Sequence, residues 1–139
     1  MARKQPSPAS ALERVPLLSG MNDRARGRLA KTMKDRTFAA GREVVAQGRT
    51  GAGFFLIIDG SAVVTIGGEV IRTLGPGDYF GEMALLHGGP RSATVTAQSE
   101  LSCLTISAWG FKAFVQEHPQ VAWDMLQKLA ERLRESSLS

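Results

Sequence analysis

Phe80-Gly81-Glu82-Met83-Ala84-Leu85-Leu86 and, one residue later, Gly88-Gly89-Pro90-Arg91-Ser92-Ala93-Thr94-Val95 depart from the alternating strands around them and collect complementary polar groups in a short span. A glycine after a strand lets a ligand come close to the main chain, and a short helical turn from Met83 to Leu86 would point unused N–H groups at an anion near its start. Glu82 is an acceptor for one hydroxyl or a pair. Arg91 presents a planar fork of donors matched to two phosphate oxygens, and Ser92 adds a hydroxyl and an N–H beside them. A hydroxyl acceptor next to an anion clamp describes a nucleotide site. By residue chemistry alone, an ion pair between Glu82 and Arg91 across the loop has an equal claim, contributing about 0 to 1 kcal/mol if exposed.

These residues must be positioned by the β-rich stretch that surrounds them. From Phe38 to Ile106 the sequence predicts strands at Glu43 to Gln47, Phe54 to Ile58, Ala62 to Ile66, Val70 to Leu74, Asp78 to Phe80, Thr94 to Ala97 and Glu100 to Ile106. Asp59-Gly60 and Gly67-Gly68 suit tight hairpins whose central residues need positive φ, and Gly75-Pro76-Gly77 makes another turn. Many short antiparallel strands imply a sandwich or a jelly-roll barrel, whose mouths hold ligands. Before the strands, a helical piece spans Leu12 to Leu18. A three-turn helix from Arg24 to Asp35 then follows the cap Asn22-Asp23, with Leu29 and Met33 on one face. After the strands Ser107 caps a helix, His118-Pro119 interrupts it, and a second helix carries Val121, Met125, Leu129 and Leu133 at four-residue spacing.

Taken in order, these motifs resemble the cyclic nucleotide-binding domain, the module of the catabolite activator protein, cyclic-nucleotide-dependent kinases and gated channels. The stretch from Gly81 to Val95 is similar to its phosphate-binding cassette. Leu17-Leu18-Ser19-Gly20, Phe38-Ala39-Ala40-Gly41-Arg42, Gly60-Ser61 and Leu74-Gly75-Pro76-Gly77-Asp78 extend the likeness from about Leu12 to Arg134. The resemblance implies a mainly β fold, an eight-stranded type of jelly-roll β-barrel flanked by N-terminal and C-terminal helices. It implies a flexible N-terminus over 1–11, a binding domain over 12–135 (β core 38–106, C-terminal helices 107–135) and a tail over 136–139. Glu82 would accept from the ribose 2′-hydroxyl and Arg91 would grip the cyclic phosphate, with the N–H groups of Ala84 and Ser92 completing the anion site beside Gly81 and Met83. The base would lie against Val64, Ile71 and Arg72. Arg132 and Leu133 of the last helix would close over it, with Ser136-Ser137 reaching the purine edge. The implied ligand is cyclic AMP, with cyclic GMP as second choice.

Composition sets bounds on other functions. At 139 residues and 43% hydrophobic content the chain suits one core, and one cysteine, Cys103, permits no internal disulfide. The start is proline- and serine-rich where an export signal needs an apolar stretch, and no apolar run approaches the roughly 20 residues of a membrane span. A cytoplasmic protein without membrane contact is expected. Ten Lys/Arg against three Asp/Glu lie in residues 1–42, and seven against ten in 43–139, so basicity is an N-terminal property. Arg24, Arg26, Arg28, Lys31, Lys34 and Arg36 spread around a helix and read as its solvated face.

Jelly-roll metal enzymes need clustered His and carboxylate ligands, and this chain has only His87 and His118, read as lying at a loop or helix end. No catalytic triad stands out, and Cys103 reads as a small buried hydrophobe, so no enzyme is expected. Too few residues follow the last helix for a helix-turn-helix, and specific DNA binding is not expected. The remaining expectation is a sensor that signals through its C-terminal helix, either to a protein effector acting in trans or by pairing with a second copy through that helix. The alternative is a piece of, or a subunit related to, a cyclic-nucleotide-responsive transcription regulator without its DNA-binding domain.

Overall fold

The computed structural model describes residues 7–51 and 53–138. Residues 1–6 of the expected flexible terminus lie outside the described residues. From there the chain is already ordered as a helix, α1 (Pro8–Glu13), earlier than expected, because Ser7 accepts from the Ser10 N–H and proline starts the first turn. A 3-10 turn (Pro16–Leu18) and helix α2 (Asp23–Thr32) follow, the latter capped by Asn22 accepting from the Ala25 N–H at 2.8 Å. α2 ends at Thr32, short of Asp35. Lys34–Phe38 forms strand β1, paired with β8 (Leu101–Ser107). The charged sequence of β1 hides a strand because β1 is a sheet edge, where exposed charge discourages further pairing. Lys34 and Arg36 therefore belong to a strand, and the Arg36 guanidinium lies 4.9 Å from the centre of the Phe38 ring.

Arg26 also departs from the solvated-face reading. It is 5% exposed and donates to the carbonyls of Ser19 and Met21 and to the Asp23 carboxylate, closing the turn that precedes its own helix. Gly27, in the middle of α2, has open space around it and no need of positive φ. Gly27→Ala should therefore stabilise the fold by about 1 kcal/mol through the lower chain entropy of the unfolded state and better helix propensity. Thermal unfolding checks this, with a rise of a few degrees expected.

The remaining strands are β2 (Glu43–Val45), β3 (Gly53–Asp59), β4 (Ala62–Ile66), β5 (Glu69–Leu74), β6 (Tyr79–Phe80) and β7 (Thr94–Ala97). Among the described residues they form two four-stranded antiparallel sheets, ordered β1-β8-β3-β6 and β2-β7-β4-β5, so the jelly roll is a sandwich and not a closed cylinder. The β4–β5 hairpin turns on Gly67 (φ 60°) and Gly68 (φ 82°), as the mirror-image turn requires. At Asp59-Gly60 only the glycine takes positive φ, because Asp59 is still the last residue of β3.

β3 explains the two cores. Its alternate residues Phe55 and Ile57 point between the sheets to Phe38, Val95, Ala97, Leu101 and Cys103. Phe54 and Leu56 point the other way, to the helices. There they meet Leu12, Leu17, Leu29, Phe111 of α3 (Ala108–Glu117) and Met125 of α4 (Pro119–Leu138). Cys103 is 1% exposed, and burial, against a smaller opposing effect of Arg36, pushes its thiol up to about 12. No helix among the described residues is long and apolar enough to cross a membrane.

β6 belongs to the first sheet and β7 to the second, so residues 81–93 must cross from one sheet to the other. That crossing carries the candidate site.

Candidate functional site

The crossing is pinned at both ends. Its start packs inward through Ala84 and Leu85, both buried, within a 3-10 turn over Glu82–Leu85 that follows Gly81 at φ 83°. Its end is tied to the β2–β3 loop: the Arg91 N–H donates to the Arg49 carbonyl and the Gly48 N–H to the Arg91 carbonyl, both at 2.8 Å. Between these anchors lies a cavity of about 850 Å3. Gly81, Glu82, Met83, Ala84, Arg91 and Ser92 line it from the crossing, Val64 and Arg72 from β4 and β5, and Arg132 from α4.

Glu82 and Arg91 share this cavity without pairing, and no ion pair among the described residues joins them. The cross-loop bridge is therefore not what these residues form. Among the described residues Glu82 Oε2 is buried without a hydrogen-bond partner. Burial pushes the Glu82 carboxyl above its ordinary value, opposed by the charge of Arg132 and a main-chain hydrogen bond at Leu17. An orphaned buried acceptor of this kind is costly unless a donor arrives. Arg91 Nη2 donates to the Gly53 carbonyl at 3.0 Å, and burial pushes its guanidinium below its ordinary value. Arg72, Arg91 and Arg132 line the cavity against one carboxylate, Glu82, a charge balance that suits an anion carrying hydroxyl donors.

Four expected contacts differ. Ile71 does not line the cavity and is 53% exposed. Val64 faces Arg72 across the hairpin, but the register slips before Thr65 pairs with Val70, which leaves Ile71 at the irregularity. Leu133 is 69% exposed and does not line the cavity, because each helical residue turns by about 100° and Arg132 takes the inward direction. Ser136 is exposed one turn further on, and the Ser137 side chain lies outside the described residues. The Ala84 N–H is used within its own turn, donating to the Gly81 carbonyl at 3.1 Å.

Other wall residues had no individual signal in the sequence. Pro16 enters from the N-terminal turn, Gly51 from the β2–β3 loop and Tyr79 from β6. Tyr79 borders the motif, and its hydroxyl is pushed up by burial and then by Glu82. His87 also lines the cavity, whereas His118 ends α3 with its ring 4.6 Å from that of Phe114. No group of three His, Cys, Asp or Glu able to hold a metal occurs among the described residues.

Comparison with known proteins identifies the family. A family model described as the cyclic nucleotide-binding domain matches residues 35–118. The chain is 42% identical over 103 residues to the cAMP-dependent protein kinase regulatory subunit of Yarrowia lipolytica, covering 73% of this chain and 28% of that protein. It is 33% identical over 125 residues to a cyclic nucleotide-gated potassium channel of Mesorhizobium japonicum, covering 90% of this chain and 34% of that one. The chain thus spans roughly a third or less of these relatives. Among solved structures, the N-terminal domain of a transcriptional regulator from Streptomyces coelicolor superposes with a TM-score of 0.83 at 27% identity, covering 91% of this chain and 94% of that one. The catabolite activator protein of Thermus thermophilus gives 0.69 at 30% identity, covering 88% and 60%.

Proposed function

Because the chain belongs to the cyclic nucleotide-binding domain family, we propose that it binds a 3′,5′-cyclic nucleotide, preferring cyclic AMP to cyclic GMP, and reports occupancy through α4. The observation that carries this reading is the pairing of opposites left apart: a buried carboxylate oxygen without a partner and an arginine without an ion pair, in one cavity. The ribose 2′-hydroxyl would donate to Glu82, and the cyclic phosphate would accept from Arg91 and the Ser92 N–H. Val64 and Arg72 would flank the base. The role is that of a binding module, not an enzyme, in the cytoplasm.

Arg132 is the link to signalling. It reaches the same cavity from α4, so a ligand held between the crossing and α4 favours the position of the helix in which Arg132 contributes, by its differential affinity for that position. α4 in turn is closely packed on the N-terminal turn: a methyl group on Gly20 would lie 3.1 Å from Lys128 Cγ and 3.2 Å from the Asp124 carbonyl oxygen. The readout is then a protein effector acting in trans, or a second copy meeting α4. Calorimetric titration with cyclic AMP, cyclic GMP and linear 5′-AMP tests the reading. Binding of cyclic AMP ahead of cyclic GMP is expected, and no heat with either cyclic ligand would overturn it.

The likeness to the N-terminal domain of the Streptomyces transcriptional regulator favours a second reading, in which this module serves a DNA-binding protein. The described residues would themselves show only weak, steeply salt-dependent and sequence-independent DNA binding, from the basic N-terminal part. Gel-shift titration from low to physiological salt checks this, and a defined operator bound by this chain would reverse the assignment.

A further inference from the structure

We propose that Gly51 is a positioning residue for anion capture, its missing side chain forming the flat seat on which the Arg91 guanidinium rests. A methyl group on Gly51 would lie 2.5 Å from Arg91 Nε, 2.8 Å from Nη2 and 3.0 Å from Cζ, and these guanidinium atoms are its three nearest neighbours. Main-chain strain does not demand glycine there, since Gly51 is not among the residues at positive φ. Gly81 differs, because its φ of 83° already favours glycine, and a methyl there would meet the Gly53 carbonyl oxygen at 2.5 Å as well as Arg91 Nη1 at 2.7 Å. The nearest constraint on residue 51 is therefore the Arg91 guanidinium.

The seat has a second wall and a fixed base. Nη2 donates to the Gly53 carbonyl at 3.0 Å, and the main chain is tied by Arg91 N–H to Arg49 and Gly51 N–H to Gly89, at 2.8 and 3.4 Å. A guanidinium has five N–H donors and the Gly53 bond uses one, so an edge of the fork stays available to an anion. A fork held in place before binding has less freedom to lose when the phosphate arrives, which raises affinity without adding a contact. The inference rests on the cyclic-nucleotide reading for the identity of the anion, and on geometry alone for the seat.

Titration with cyclic AMP is carried out on wild type, Gly51→Ala, Arg91→Lys and the double variant, with Gly75→Ala as control because a methyl there meets open space without positive φ. Gly51→Ala should weaken binding about tenfold or more in the wild-type background and no more than about twofold in the Arg91→Lys background, where no planar group is left to seat. Gly75→Ala should bind like wild type. Unchanged or tighter binding by Gly51→Ala, or an equal loss in both backgrounds, would overturn the proposal. A ligand-free arm follows the Arg91 Nε–H resonance, assigned by its disappearance in Arg91→Lys. Slow exchange with water is expected in wild type and fast exchange in Gly51→Ala. If the resonance behaves so while wild type ignores cyclic nucleotides, the seat stands and the ligand assignment fails. A resonance indifferent to Gly51→Ala sinks the seat itself.

Discussion

Arg91→Leu is expected to remove detectable cyclic-nucleotide binding from a protein that still folds. Charge-assisted hydrogen bonds contribute about 1.5 to 3 kcal/mol each, and a bidentate grip on phosphate uses two, so affinity should fall by about two orders of magnitude or more. The fold loses little, because the Arg91 main chain carries the bonds that pin the crossing, whereas among the described residues its side chain donates only to the Gly53 carbonyl. Arg91→Lys should recover part of the affinity, since an ammonium supplies the charge without the planar fork. Calorimetric titration measures the loss and circular dichroism with thermal unfolding certifies the fold. Near-wild-type affinity in folded Arg91→Leu would remove the anion site from this cavity.

Glu82→Gln is expected to move stability and binding in opposite directions. Burial raises the Glu82 carboxyl, so the fold favours its protonated form. That contribution is fully present below the ordinary carboxylate value of 4.5 and is lost as pH rises through the raised value. Above that raised value the ligand-free protein holds an ill-solvated charge, and there the amide should raise the thermal midpoint by a few degrees. Cyclic AMP affinity should fall about tenfold or more as the charge-assisted bond to the 2′-hydroxyl is lost. The 2′-deoxy ligand should bind wild type weakly and Glu82→Gln hardly more weakly still. Acidification through the raised value should weaken wild-type binding and leave the variant's affinity flat. Additive losses from the amide and the deoxy ligand would show that Glu82 and that hydroxyl do not meet.

Local chemistry made the crossing legible in the sequence: a glycine after a strand, a carboxylate, and an arginine behind a Gly-Gly-Pro turn cannot all be routine sheet grammar. The strands of the interior were legible because β3 and β4 are mostly apolar, β7 alternates threonine with buried apolar residues, and turns bound them. What stayed hidden depends on partners distant in the chain. β1 is a strand by virtue of β8, since the charged run Lys34-Asp35-Arg36 that opens it carries no strand signal of its own. Ile71 falls at a slip in pairing and outside the wall, and Arg132 rather than Leu133 enters it through the roll of α4, neither of which spacing alone specifies. Pro16 and Gly51 reach the cavity only after three separate segments have packed.

The silence of Cys103 opens a direct view of α4. At pH 7.5 a thiol titrating near 12 is almost wholly protonated, whereas an ordinary exposed cysteine near 8.5 is about one tenth thiolate. Cysteines introduced at exposed Arg134 and Glu69 would thus couple to a spin label or fluorophore about a thousandfold faster than the native thiol, even before its burial slows the reagent. The distance from α4 to the outer edge of the second sheet becomes measurable with every native residue of the cavity in place. A distance distribution that narrows on adding cyclic AMP would record the helix taking up its ligand-bound position.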